Sequence, residues 1–317
     1  MKGLSEAQFI ERMCERVVVP PSPRGPGDDA AVRGAEVTTV DLMVEDVHFT
    51  RAHPPLWLGS KLLSVNISDI GAMAARPSRF VLTAALPKDT PVAWWDALAT
   101  GLGALAKRAG ITLVGGDVTR SPGPVMLGIT AWGELEGRKA LLRSGGRPGD
   151  VVMIHSPQGV GRSWLGLKEW LSCGISGWGH APPDHVSVCV AAHLNPATSW
   201  QIGPWASDHG ATAAMDCSDG LLADVPRLAA QSQVRLDVEL GGLPEDPECG
   251  EMTALERASG GEDYGLLVLV PPSQREIFES AGFITLGVAS EGQGVYWSVD
   301  GVRVEPGAPA FDHFSAS

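Results

Sequence analysis

Aspartates beside glycine, serine or short apolar runs recur along this 317-residue chain, and their surroundings suit one kind of chemistry. Asp28 and Asp29 follow Gly27, and Asp41 sits in the apolar run 37–44. Asp69 lies in Ser68-Asp69-Ile70, Asp117 closes Gly115-Gly116-Asp117, and Asp216 and Asp219 flank Cys217-Ser218. Oxygen-only ligands favour hard cations such as magnesium, above all when a substrate phosphate completes the coordination shell. With a formal net charge of −13, the chain would need such ions as bridges to an anionic substrate.

The elements that must carry these residues are readable in outline. Residues 61–75 have helical periodicity, and the stripe of Leu62, Val65, Ala72 and Met73 includes Asp69. That places a carboxylate on the core side, where it requires a cation, a strong donor or a metal. Asp41 belongs to a predicted strand, 37–44, and strand alternation lets only one of Asp28 and Asp29 aim at the site Asp41 faces. A helix is predicted over 216–230, entered through Asp216 or Ser218 as N-cap and burying Leu221, Leu222, Val225 and Leu228. Its positive end, with Ser218 and Gly220, suits a phosphate. Gly260-Gly261-Glu262-Asp263 precedes an apolar strand, 266–270, and Arg143 precedes another, 151–155. Arg143 reads either as a bidentate phosphate contact or as a surface ion pair.

Around these, strands at 80–85, 111–115 and 125–132 alternate with helices at 56–75 and 92–109, the pattern of an α/β domain. A short amphipathic helix over 6–19 is expected to pack on its body. Residues 138–150, rich in Gly, Arg and Pro, read as the crossover to a second unit. The division expected is therefore 1–137 and 138–317. Tryptophans at 164, 170, 178, 200 and 205 cluster in the second unit and read as packing under loops. Two aromatics in the tail, Phe311 and Phe314, must dock somewhere.

Composition removes several classes of function. The acidic balance and the absence of a Lys/Arg cluster argue against nucleic-acid binding. Five widely spaced cysteines without a C-x-x-C pair argue against a disulfide framework or a zinc site, and Cys217 reads as a small buried hydrophobe. No apolar run approaches the roughly 20 residues of a membrane span, so a cytoplasmic protein off the membrane is expected. The chain has no P-loop motif, no G-x-S-x-G elbow and only six lysines. Phosphates, if bound, must be held through metals on aspartates, assisted by glycine-rich backbone and Arg143.

Gly27-Asp-Asp-Ala-Ala-Val32, Val40-Asp-Leu-Met-Val-Glu-Asp-Val-His-Phe49, Val65-Asn-Ile-Ser-Asp-Ile70, Gly115-Gly-Asp117, Arg143-Ser-Gly145, Asp216-Cys-Ser-Asp-Gly-Leu221, Gly260-Gly-Glu-Asp-Tyr264 and Phe311-Asp-His-Phe314 occur in this order. The set resembles the thiamine-monophosphate kinase family of the aminoimidazole ribonucleotide synthetase superfamily, over nearly the whole chain. The resemblance implies a two-domain α/β (α+β) fold, with an N-terminal mixed sheet forming a dimer barrel and a C-terminal α/β domain completing the active site. It also implies a homodimer, and transfer of the ATP γ-phosphoryl group to thiamine monophosphate. By motif matching, Asp29, Thr39, the Val40 backbone, Asp41, Asp69, Asp117, Asp216 and Asp219 would bind several magnesium ions, with Asp41, Asp69 and Asp216 acting in catalysis through them. Gly116, Asp117, Arg143 and Ser218 would contact ATP, and His48, Glu262 and Phe311 the thiamine part. The chain departs from the family pattern at Val40, often threonine, and at Gly265, usually glutamate. The competing readings are another ATP-dependent superfamily member, or a non-catalytic metal and nucleotide sensor. A selenophosphate synthetase would carry a reactive cysteine near a lysine in a glycine-rich N-terminal segment, whereas Cys14 sits in a plain helix pattern.

Overall fold

The computed structural model describes residues 6–179, 185–198 and 200–307. In chain order its helices and strands are α1 (Glu6–Cys14), β1 (Ala31–Arg33), β2 (Glu36–Val44), α2 (Pro55–Ala72), β3 (Arg76–Leu86), α3 (Val92–Ala109), β4 (Thr112–Arg120) and β5 (Met126–Glu134). Then follow β6 (Val151–His155), α4 (Arg162–Ser172), α5 (Val188–Leu194), α6 (Ile202–Asp208), β7 (Ala213–Cys217), α7 (Leu221–Ser232) and β8 (Arg235–Glu239). The chain continues with α8 (Ala254–Ser259), β9 (Gly265–Val270), α9 (Arg275–Ser280), β10 (Ile284–Ser290), β11 (Gly294–Val299) and β12 (Val302–Val304). They build a five-stranded sheet, β1-β2-β5-β3-β4, and a seven-stranded sheet, β12-β11-β8-β10-β6-β9-β7. Both sheets are mixed: β4 is parallel to β3 through the α3 crossover, and β11 is parallel to β8.

Helix α2 is the central element. Pro55 occupies its first turn, where the missing N–H costs no intrahelical bond. Its periodicity is weak because Leu58, Leu62, Leu63, Ile67 and Ile70, which point in several directions, are all fully buried. On one side it packs in the same core as Phe80, Leu98, Leu127 and Ile129 of the first sheet and α3. Its C-terminal end meets the second domain so closely that a Cβ on Gly203 would lie 1.7 Å from the Gly71 carbonyl oxygen. Only glycine permits that approach, and it brings the Asp69 turn of α2 against β7 and α6.

Three boundaries differ from expectation. Helix α1 ends at Cys14, ahead of the β-branched run Val17-Val18-Val19, and its Ile10 and Met13 are exposed instead of packed on the domain. Strand β4 runs on to Arg120 because its parallel ladder with β3 continues through Gly115↔Val81 and Asp117↔Thr83. Gly116 permits this: a Cβ there would stand 2.1 Å from the Leu82 carbonyl oxygen. Asp216 is not a helix cap, since β7 pairs through Asp216↔Leu266 and Cys217↔Gly265 with β9. Helix α7 therefore starts only at Leu221, with Gly220 at φ 95° as N-cap and no side-chain cap, so Ser218 is not the cap either.

Candidate active site

Three aspartates from three separate elements converge: the loop before β1 supplies Asp29, α2 supplies Asp69 and β7 supplies Asp216. One carboxylate oxygen from each lies within 4.8 Å of the others. Strand β2 adds two residues of one face, Thr39 and Asp41. The Thr39 hydroxyl donates to Asp69 Oδ2 at 2.6 Å, and Ser68 Oγ donates to Asp216 Oδ2 at 3.2 Å. Val40, on the opposite face of β2, is exposed and turns its side chain away from Asp41.

Of the pair Asp28-Asp29, which lies in the loop before β1, only Asp29 joins the cluster, in line with the expectation that one of the two does so. Asp29 Oδ1 accepts from Arg143 Nε at 2.9 Å and from Nη2, while Asp28 Oδ1 accepts from the Arg143 backbone N–H at 2.8 Å. Arg143 thus makes a partly buried ion pair, not a surface one, and it does so inside the acid cluster. Asp29 Oδ2 is buried without a hydrogen-bond partner among the described residues.

One arginine does not neutralise this much charge. Burial, followed by the charges of Asp216, Asp41 and Asp29, pushes Asp69 well above the ordinary carboxylate range. Burial and then Asp29 and Asp224 do the same to Asp216. Burial raises Asp41 to about 6, and it raises Asp29 despite the opposing pull of Arg143. Uncompensated carboxylates with an orphaned oxygen are a donor set for hard divalent cations, so the residues fit magnesium.

The cluster opens into a cleft of about 470 Å³, a volume suited to a drug-sized organic molecule. Asp41, Asp69, Asp216, Ser218 and Asp219 line it together with His48, Trp164, Trp170, His193 and Glu262. Asp219 is partly compensated, because Arg227 Nη1 reaches its Oδ2 at 2.5 Å. His48 Nδ1 accepts the Val44 N–H at 3.0 Å, which leaves the proton of a neutral ring on Nε2. Buried Glu45 holds this β2–α2 connection by accepting from Arg51 Nε at 2.6 Å and from the Val125 N–H at 2.8 Å.

Behind the cleft lining lie residues that the sequence motifs passed over. Lys61 of α2 is fully buried, and its Nζ lies 3.0 Å from Glu262 Oε1 and donates to the His193 carbonyl oxygen at 3.0 Å. His193 Nδ1 is 2.8 Å from Glu262 Oε2. Burial alone would raise the Glu262 pKa, yet Lys61 and His193 hold it far below the usual value. Lys61 shares a helical face with Val65, Ser68 and Ala72, so the periodicity that exposes Asp69 could also have found it. Asp224, raised to about 7 by burial and by Asp219, likewise sits on the buried stripe of α7 with Leu221, Val225 and Leu228.

Two expected site residues are not brought here. Gly116 and Asp117 lie on β4, every residue of which is exposed, at the far edge of the first sheet from β2. Phe311, with the tail motif ending at Phe314, lies outside the described residues. The tryptophans separate: Trp164 and Trp170 line the cleft, Trp178 packs edge-on to Trp94, and Trp205 stacks among Phe278, Phe283 and His209.

Comparison with known proteins supplies the context for this geometry. Residues 27–135 match the model of the N-terminal domain of AIR synthase related protein, and residues 147–298 that of its C-terminal domain. The chain is 36% identical over 258 residues to the thiamine-monophosphate kinase of Mycobacterium tuberculosis, covering 77% of this chain and 73% of that protein. The thiamine-monophosphate kinase of Salmonella typhimurium is 31% identical over 310 residues, with 92% of each chain covered. A solved structure described as AaThiL complexed with AMPPCP and TMP superposes with a TM-score of 0.82 at 29% identity, covering 98% of this chain and 97% of the other.

Proposed function

The chain belongs to the thiamine-monophosphate kinase family, and we propose that it transfers the γ-phosphoryl group of ATP to thiamine monophosphate, giving thiamine diphosphate and ADP. The observation that carries this reading is the meeting of Asp29, Asp69 and Asp216, the last two lining a cleft that Glu262 also lines. An oxygen of the acceptor phosphate forms the new bond to the γ phosphorus, and the bond from that phosphorus to the β–γ bridging oxygen breaks. The acceptor's second pKa is about 6, so it is anionic at neutral pH and needs no strong general base.

What remains for the protein is to bring two polyanions together and hold them in line. Asp29, Thr39, the Val40 carbonyl, Asp41, Asp69, Asp216 and Asp219 would hold magnesium, which when bound screens the phosphates and stabilises charge in transfer. Ser218 and Arg143 contact ATP in this reading; Arg143 is already oriented by Asp28 and Asp29. His48 and Glu262 take the thiamine part, with Phe311 assigned there by motif alone. The protein acts in the cytoplasm as a homodimer in this reading, and none of its described helices is long and apolar enough to cross a membrane. Exposed Val40 and Leu42 on β2 and Leu113, Val114 and Val118 on β4 give the first sheet an uncovered apolar surface for a second copy. In that dimer Gly116 and Asp117 serve a site that includes the partner chain. Residues 1–137 then form the nucleotide, metal and dimer domain, and 138–317 the domain that completes the site.

The test is incubation with ATP, magnesium and thiamine monophosphate, followed by phosphorus NMR of the products. Thiamine diphosphate and ADP in equal amounts are expected. A folded protein that binds ATP but forms neither would be a sensor, and the proposal would fall.

A further inference from the structure

Lys61 is an unexpected residue for the middle of α2. Its neighbours Leu58, Leu62, Leu63 and Val65 are buried hydrophobes, and its own side chain is completely withdrawn from solvent. An ammonium group in such a place must be paired, and replacing a buried pair by apolar residues is often neutral or stabilising. Fold stability alone therefore does not call for Lys61.

Its partner differs in exposure. Glu262 keeps 27% of its side chain accessible, and it lines the cleft. Its backbone is fixed as well: φ is 66°, unusual for a residue with a Cβ, and its N–H donates to the Ser218 carbonyl oxygen at 2.6 Å. Each carboxylate oxygen has one basic group beside it, Oε1 the Lys61 Nζ at 3.0 Å and Oε2 the His193 Nδ1 at 2.8 Å, the second a close approach without hydrogen-bond alignment. His193 is itself fixed, since its carbonyl oxygen accepts from the same Lys61. A carboxylate oxygen has two lone pairs, so the accessible side of Glu262 retains acceptor capacity. Two groups, one from α2 and one from α5, thus hold the carboxylate that the α8–β9 loop supplies.

We propose that Lys61 and His193 are positioning residues that present Glu262 to the organic part of the acceptor and select for a ligand carrying N–H donors or a cationic ring. This deepens the kinase reading and rests on it. The acid cluster takes phosphate of any origin, whereas the locked carboxylate distinguishes the acceptor from other phosphate monoesters.

Steady-state kinetics of Lys61→Met, Glu262→Gln, their double variant, His193→Leu and His193→Asn test the inference, with thermal melting as the folding control. Lys61→Met is expected to raise KM for thiamine monophosphate about 10-fold or more while kcat and KM for ATP change less than about 3-fold. The double variant is expected to be no worse than Glu262→Gln, because both single changes remove the same contact. His193→Asn, which keeps an N–H near the Nδ1 position, is expected to recover most of the affinity that His193→Leu loses. Losses shared equally between ATP and the acceptor, or effects of Lys61→Met and Glu262→Gln that multiply, would overturn the inference. If Lys61→Met does not fold, the His193 variants decide alone, and equal losses in both would overturn it. A wild-type chain that forms no thiamine diphosphate removes the kinase reading and this inference together.

Discussion

At the Asp69 end of α2, Asp29, Asp69 and Asp216 crowd together with the Arg143 side chain on Asp29, whereas at its Lys61 end Glu262 meets a buried lysine and a histidine. Both ends bury carboxylates, but the consequences are opposite. The crowded acids are raised in pKa by burial and by one another, and Glu262 is lowered because Lys61 and His193 outweigh its burial. An uncompensated cluster is completed by a cation from solution; a compensated carboxylate is already complete and is preorganised for a ligand. The fold keeps these two solutions eight residues, about two helical turns, apart along α2, which carries both Asp69 and Lys61.

The largest way to break this contrast is Asp69→Asn. It is expected to lower kcat by about 10³-fold, roughly 4 kcal/mol of transition-state stabilisation, because it removes charge from the cation site and no volume from the core. The metal-free variant should melt at or above the wild-type temperature, since an uncompensated buried charge has gone. A variant that retains activity would remove Asp69 from the site. Arg143→Met should act more gently, raising KM for ATP by about 10-fold and lowering metal-free stability, because Asp29 loses its partner. Unchanged ATP kinetics would return Arg143 to a structural role.

The smallest effect is read in stability against pH. Asp224 at about 7 and Asp41 at about 6 stand above their ordinary value of 3.8. For such groups the folded state takes up protons first, so the penalty present at neutral pH is relieved as pH falls from about 7 towards 5. Glu262 works the other way: its contribution is full above the ordinary value of 4.5 and is lost only below it. Metal-free protein should therefore gain melting temperature between pH 8 and about 6.5, above the range where His53 and His193, held neutral by burial, act in the opposite direction, and saturating magnesium should flatten that slope. A metal-free melting temperature that falls over this range contradicts the sign.

Much of this site was legible in the chain. The apolar pattern of α2 marked Asp69 as a carboxylate among core residues, and it is the one residue of 61–72 left partly exposed; alternation required that only one of Asp28 and Asp29 face the site but could not choose between them, since both lie in the loop before β1. The entry to α7 was misread, since Asp216 and Ser218 look like helix caps until a long-range ladder with β9 claims Asp216. The extent of β4 failed for the same reason: Gly115-Gly116 reads as a strand end, and only the ladder to β3 shows otherwise. Lys61 and Asp224 carried a usable signal, a charge on an apolar helical stripe, but Glu262, the partner of Lys61, lies 201 positions onward, and Asp224 is met by the backbone of the Asp219 turn. Pairings across such distances are set by topology and leave no pattern in sequence. Asp117, at the edge of the first sheet, belongs to this class as well.

The most direct test of the central claim, that the three converging carboxylates hold divalent cations for phosphoryl transfer, is a manganese titration followed by electron paramagnetic resonance in the presence of a non-hydrolysable ATP analogue. Wild-type protein should bind the ion tightly, and Asp69→Asn and Asp216→Asn should each lose that binding while still melting cooperatively. Equal manganese uptake by the wild type and both variants would contradict the account.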